Sequence, residues 1–229
     1  MSDAAIAAVQ HGDVETLTRL LAENPELANA RVGDDKARTL LHVVTDWPGH
    51  FPNGPATVAA LVAAGADVNA RFGGTAHAET PLHWASSTND VAVLDALLDA
   101  GADINAPGAV IAGGTPLDDA TAFGQWQAAH RLVERGAETT FTHAATLGLQ
   151  DRLAAHDPGK PEIDRAFWGA CHGGQQQTAE HLLGRGADVN WIPPWEDVTP
   201  LDAAQRSGAD ELVRWLRDHG GRSARPGSR

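Results

Sequence analysis

Titratable and aromatic side chains raise the first chemical question in this sequence. Eleven histidines and thirty acidic residues are spread over 229 positions. A carboxylate that orients an imidazole is the simplest general acid/base device those types can make. Asp46, His50, Asp119 and His143 are the candidates of that kind. Trp47, Trp84 and Phe123 supply aromatic surface on which a bound group could rest. Other chemistries lack their motifs. No His-Glu-x-x-His run and no cysteine pair is present to hold a metal, and Cys171 and His172 point different ways on a helix. Gly73-Gly74 and Gly113-Gly114 have no phosphate-binding lysine behind them, and there is no Gly-x-Ser-x-Gly elbow. The expectation is that the chain holds no metal and no cofactor.

The elements that position these residues follow from a repeated stretch. Thr80-Pro81-Leu82-His83-Trp84-Ala85 opens a helix, because a threonine hydroxyl caps free amides and proline fits the first turn. Val91, Val93, Leu94, Leu97 and Leu98 then give a second helix an apolar stripe at spacings of three and four. Gly101 ends it in the left-handed geometry that glycine adopts without penalty. Thr115-Pro116-Leu117 leads to Gly136, and Thr199-Pro200-Leu201 to Gly220, with Thr 21 residues before Gly in all three copies. Thr39 to Gly65 spans 26, and the excess lies in Trp47–Pro55, whose prolines and glycines predict a loop inserted between paired helices. Residues 139–160 keep a first helix, but the second, Asp151 to His156, is short. That makes the fifth pair the expected weak point.

These residues, with their closing glycines 34 to 36 residues apart, resemble the ankyrin repeat, whose signature is Thr-Pro-Leu-His-x-Ala. The resemblance implies an all-α solenoid of about seven helix-turn-helix units with extended fingers. The units fall near 3–31, 39–71, 80–107, 115–139, 139–160, 165–190 and 199–221, in a single array over 1–221. A disordered tail is expected at 222–229. It also implies that the fourth, seventh and eighth residues after each motif threonine face a concave groove. Asp46, Trp47, Trp84, Asp119, Phe123, His143 and His172 then line that groove, with His50 hanging over it from the inserted loop. His42 and His83 take the motif-histidine position, where the side chain ties the finger turn, and Asp118 and Asp202 take a related turn role. Asp119 and His143 have no consensus reason to be what they are, which makes them the stronger functional candidates.

Two functions compete on this reading. The first is a recognition scaffold that binds a protein or peptide partner in the groove through Trp47, Trp84 and Phe123, with Asp46 and Asp119 selecting a basic group. The alternative is an enzyme acting on a small molecule held between fingers and inner helices, with Asp46, His50, Asp119 and His143 as the acid/base groups. A self-associating array is a third, suggested by Trp126, Trp191, Trp195 and Trp215. The net charge of −13 speaks against a general nucleic-acid binder. Neither a signal peptide nor a membrane-length apolar run is evident, so a cytoplasmic, membrane-free protein is expected. One cysteine, Cys171, excludes a disulfide framework. Arginine outnumbers lysine, present only as Lys36 and Lys160, and points to a high-GC bacterial source.

Overall fold

The computed structural model describes residues 2–33, 37–74, 77–154 and 158–224. Positions 225–229, most of the expected tail, lie outside the described residues, as do Asp157 and His156. The chain forms two compact units, 1–137 and 138–229.

Among the described residues, the first unit holds four helix pairs: α1 (Ser2–His11) with α2 (Val14–Glu23), α3 (Leu40–Thr45) with α4 (Gly54–Ala63), α5 (Pro81–Ser87) with α6 (Val91–Asp99), and α7 (Pro116–Ala122) with α8 (Trp126–Glu134). A 3-10 turn, Pro25–Asn29, follows α2. The second unit holds α9 (Phe141–Thr146) with α10 (Gln150–Ala154), α11 (Lys160–His172) with α12 (Gln176–Gly184), and α13 (Pro200–Arg206) with α14 (Asp210–Asp218). Among the described residues, the extended pairing is an isolated bridge between Val32 and Arg38.

Helices of six or seven residues cannot hold themselves in water, so each relies on its caps and on burial. Threonine starts five of the first helices in a reciprocal box: Thr39, Thr80, Thr115, Thr140 and Thr199, answered three residues on by His42, His83, Asp118, His143 and Asp202. The histidines also reach forward. His42 Nε2 lies 3.2 Å from the carbonyl of Glu79, and His83 Nε2 lies 3.4 Å from that of Gly114, so each cap holds the next finger. The Gly-Ala-Asp-x-Asn endings form a second lattice. Asn29 Oδ1 accepts the Asp67 amide, and Asn69 Oδ1 accepts the Asp103 amide, each at 2.8 Å, so one repeat's asparagine fixes the next repeat's turn.

The inserted loop is built in rather than free. Asn53 Nδ2 donates to the Gly12 carbonyl at 2.9 Å on one side, and the His50 amide donates to Asp90 at 2.9 Å on the other. Gly12 is at φ +64, and a Cβ there would stand 2.1 Å from the Pro52 carbonyl oxygen, so the loop seats only on glycine. The loop is shorter than its sequence suggests, because Gly54 and Pro55 form the first turn of α4. Lys160 and Pro161 likewise start α11, since proline suits a first helical turn. The fifth pair is the reduced one: α10 has five residues and buries Leu153, whereas α6 buries Val93, Leu94 and Leu97.

Candidate functional site

In the first unit a polar cluster lies where α5 and α7 meet the two fingers before them. Thr80 caps α5, which places Glu79 at the end of finger 71–79 and Trp84 one turn into the helix. The Trp84 indole N–H donates to Glu79 Oε2 at 2.9 Å. Glu79 Oε1 accepts the amide of Val110 at 3.2 Å, from the tip of finger 107–114. His77 Nδ1 is 2.7 Å from Glu79 Oε2, and its ring stacks on Phe72 with centroids 4.6 Å apart. Trp84 also meets His42 edge-on at 5.0 Å and Phe72 at 5.5 Å.

Asp119, from the first turn of α7, is the unusual member. It has no solvent exposure, and neither carboxylate oxygen meets a donor with hydrogen-bond geometry. Burial, and then the neighbouring Glu79 carboxyl, push its pKa up to about 9. Two buried carboxylates side by side repel, and one proton between them turns the repulsion into a hydrogen bond. Burial and the neighbouring Glu79 carboxyl thus favour the protonated form of Asp119 at neutral pH. His42, on the other side of Trp84, is driven the opposite way: burial lowers its pKa to about 4, so it stays neutral.

A family model described as ankyrin repeats, in three copies, matches residues 52–143. An ankyrin repeat and KH domain-containing protein of Caenorhabditis briggsae is 29% identical over 123 residues, which are 46% of this chain and 5% of that protein. A second such protein, mask-1 of Caenorhabditis elegans, is 28% identical over 144 residues, 60% of this chain and 4% of its own. The chain thus spans about a twentieth of the curated relatives it matches. Among solved structures, the human ASB11 ankyrin repeat domain superposes with a TM-score of 0.53 at 23% identity, over 98% of this chain and 86% of the other. The ankyrin repeat domain of Bcl-3 gives the same score and identity over 96% and 86%. Residues 52–143 carry ankyrin repeats, and the fold is that of ankyrin-repeat domains.

Within that frame the expected site residues separate. Trp47 is fully presented, with 83% of its surface exposed, and Phe123, at the end of α7, is half-exposed. Trp84 is half-buried and spent on Glu79 rather than open to a groove. Asp119 is sealed in, which removes it as a reachable acid/base group. Asp46 is half-buried, paired with Arg38 and accepting the Trp47 amide at 2.9 Å, so its charge is already answered. His50 is exposed, but its Nε2 lies 3.1 Å from the Thr88 carbonyl and its amide is used on Asp90.

His143 and His172 belong to the second unit. His143 does not take the fourth position after a motif threonine: Thr140, not Thr139, is the cap, and His143 is its reciprocal partner, with the Thr140 amide 3.3 Å from Nδ1. The doublet Thr139-Thr140 shifts the repeat frame by one residue. His172 is buried at the end of α11 and stacks on Trp168, centroids 5.3 Å apart. Trp168 donates its indole N–H to the Val198 carbonyl at 2.9 Å, and Trp195, 52% exposed, meets it edge-on at 5.9 Å.

Glu79, His77 and Phe72 were missed by counting along repeats, because fingers carry no helical period. A charged residue directly before a Thr-Pro cap was the available signal. Among the described residues, no group of three or more metal-ligating side chains comes together.

Proposed function

We propose that this ankyrin-repeat chain is a non-catalytic recognition scaffold that binds a protein or peptide segment on the concave side of its first unit. The carrying observation is Trp47: a large aromatic side chain, 83% exposed, on a loop tied down at Gly12, Thr88 and Asp90. A rigid exposed tryptophan offers contact area at low entropic cost. Phe123 and the finger tip Val110-Ile111 add exposed apolar surface in the same unit. Residues 1–137 carry 17 acidic and 7 basic side chains, a formal −10, so the partner we propose is basic around an apolar anchor. That preference comes from the unit's field, since Asp46 and Asp119 are both neutralised. The charge also argues against nucleic acid, and no described helix is long and apolar enough to cross a membrane. A bacterial, cytoplasmic setting is our reading of the composition. The enzyme alternative gains nothing from the placement of its residues, since Asp46 and Asp119 are both engaged and His143 is a cap.

Selection of displayed random peptides on the immobilised full chain tests this reading. Enrichment of lysine- or arginine-rich peptides with apolar residues, weakening as salt is raised, is expected. Enrichment of acidic peptides, or none at all, would refute it.

A further inference from the structure

We infer that Glu79 and Asp119 form a proton-sharing latch that positions finger 107–114 and its exposed tip, Val110 and Ile111. The finger is a closed turn of its own: the Ala109 amide donates to the Gly114 carbonyl, and the Gly113 amide to that of Ala109, both at 3.0 Å. Those bonds shape the finger without fixing where it sits. Its seat comes from Glu79 Oε1 accepting the Val110 amide and from the Ala78 amide donating to the Gly108 carbonyl at 3.1 Å, with the buried Asp119 beneath it. Arg71 adds a bond to the Pro107 carbonyl. Val110 and Ile111 are 51% and 40% exposed, so the Val110 amide is held while both side chains are offered to solvent.

The pair makes poor sense as packing alone. A buried carboxyl with no conventional donor costs stability, and a neutral polar or apolar residue at 119 would avoid that cost. A shared proton gives the pair two states. With one proton, the two carboxyls stay together and Glu79 keeps the Val110 amide. With none, two negative charges repel in a site without exposure, and the finger loses its anchor. The other titratable and charged groups around the pair are accounted for. His77 touches Glu79 from the same finger, His42 faces it from α3 and His83 from α5, Arg71 bonds finger carbonyls, and Asp118 is used as the Thr115 cap. The latch rests on the recognition reading only for its purpose, and its test uses no partner.

The test is nuclear magnetic resonance of the isotope-labelled full chain between pH 5 and 10. The Asp119 carboxyl carbon is expected to titrate near pH 9, and the Val110 and Ile111 amide shifts to move with the same midpoint. Asp119→Asn, whose amide imitates the protonated state, should abolish that movement and keep both amides in place at pH 10. Glu79→Gln, which weakens the acceptor, should raise hydrogen exchange at Val110 at least tenfold while the helix amides of α5 and α7 stay protected. If Asp119 titrates near 4, or the finger amides ignore its titration, or Asp119→Asn leaves the alkaline movement intact, the latch is wrong. A failure of peptide selection with these results intact would remove the recognition reading and leave the latch standing.

Discussion

Trp84 in the first unit and Trp168 in the second solve the same problem with different acceptors. Each sits on a first helix, and each needs a partner for an indole N–H that packing removes from water. Trp168 uses the backbone carbonyl of Val198, which is neutral at every pH. Trp84 uses the carboxylate of Glu79, which brings Asp119, His77 and a shared proton with it. The neutral solution carries no pH dependence. The charged one makes the surrounding finger responsive to protons and costs stability near neutrality. Such an arrangement persists where position matters more than stability, as at a surface that must present its apolar tip in one place.

That contrast can be broken at several points. The largest effect should come from Trp84→Ala, which removes half-buried aromatic area and takes the indole donor from Glu79 Oε2. A loss of about 3 kcal/mol is expected by chemical denaturation. An effect under about 1 kcal/mol would show that Trp84 faces solvent after all.

Acid should act next, through His42. It is neutral in the folded protein with a pKa of about 4, against 6.5 in the unfolded chain. Between those values the unfolded chain takes up a proton that the folded one refuses. Stability therefore falls as pH drops from 6.5 towards 4, by up to about 3 kcal/mol, and levels off below. Denaturation of His42→Asn at pH 7 and pH 4 should show that part of the decline removed.

Asp119 works with the opposite sign. The folded state holds its proton up to about 9, whereas the unfolded chain releases it at 3.8. Between the two, stability falls as pH rises, so Asp119→Asn should stabilise the protein at pH 7 by about 2 kcal/mol. A destabilising Asp119→Asn would show that Asp119 is charged and paired in the fold.

The smallest effect is local. Amides of α10, with a single buried anchor in Leu153, should exchange faster than those of α6, with three. Equal protection would deny the fifth pair its place as the weak element.

Much of this architecture is legible in the sequence because repeats write their caps and stops at fixed intervals. Thr80-Pro81 and Gly101 announce a helix pair by local chemistry alone, and His42 and His83 tie the fingers as that position implies. What failed did so for two physical reasons. The repeat frame slips at Thr139-Thr140, which turned His143 from a groove residue into a cap. Burial in a finger depends on the neighbouring repeat and not on spacing along the chain, so Asp119 read as an exposed acid when Glu79 and finger 107–114 enclose it. The insertion at Trp47 was visible as a loop, and what it contacts was not.

Trp47 carries the proposed function, and the decisive measurement is Trp47→Ala studied in two assays side by side. With 83% of its surface exposed, its loss should leave the melting temperature unchanged, while affinity for the peptides selected by the wild-type chain falls by about 2 kcal/mol or more. A variant that binds those peptides as tightly as the wild type would contradict the account.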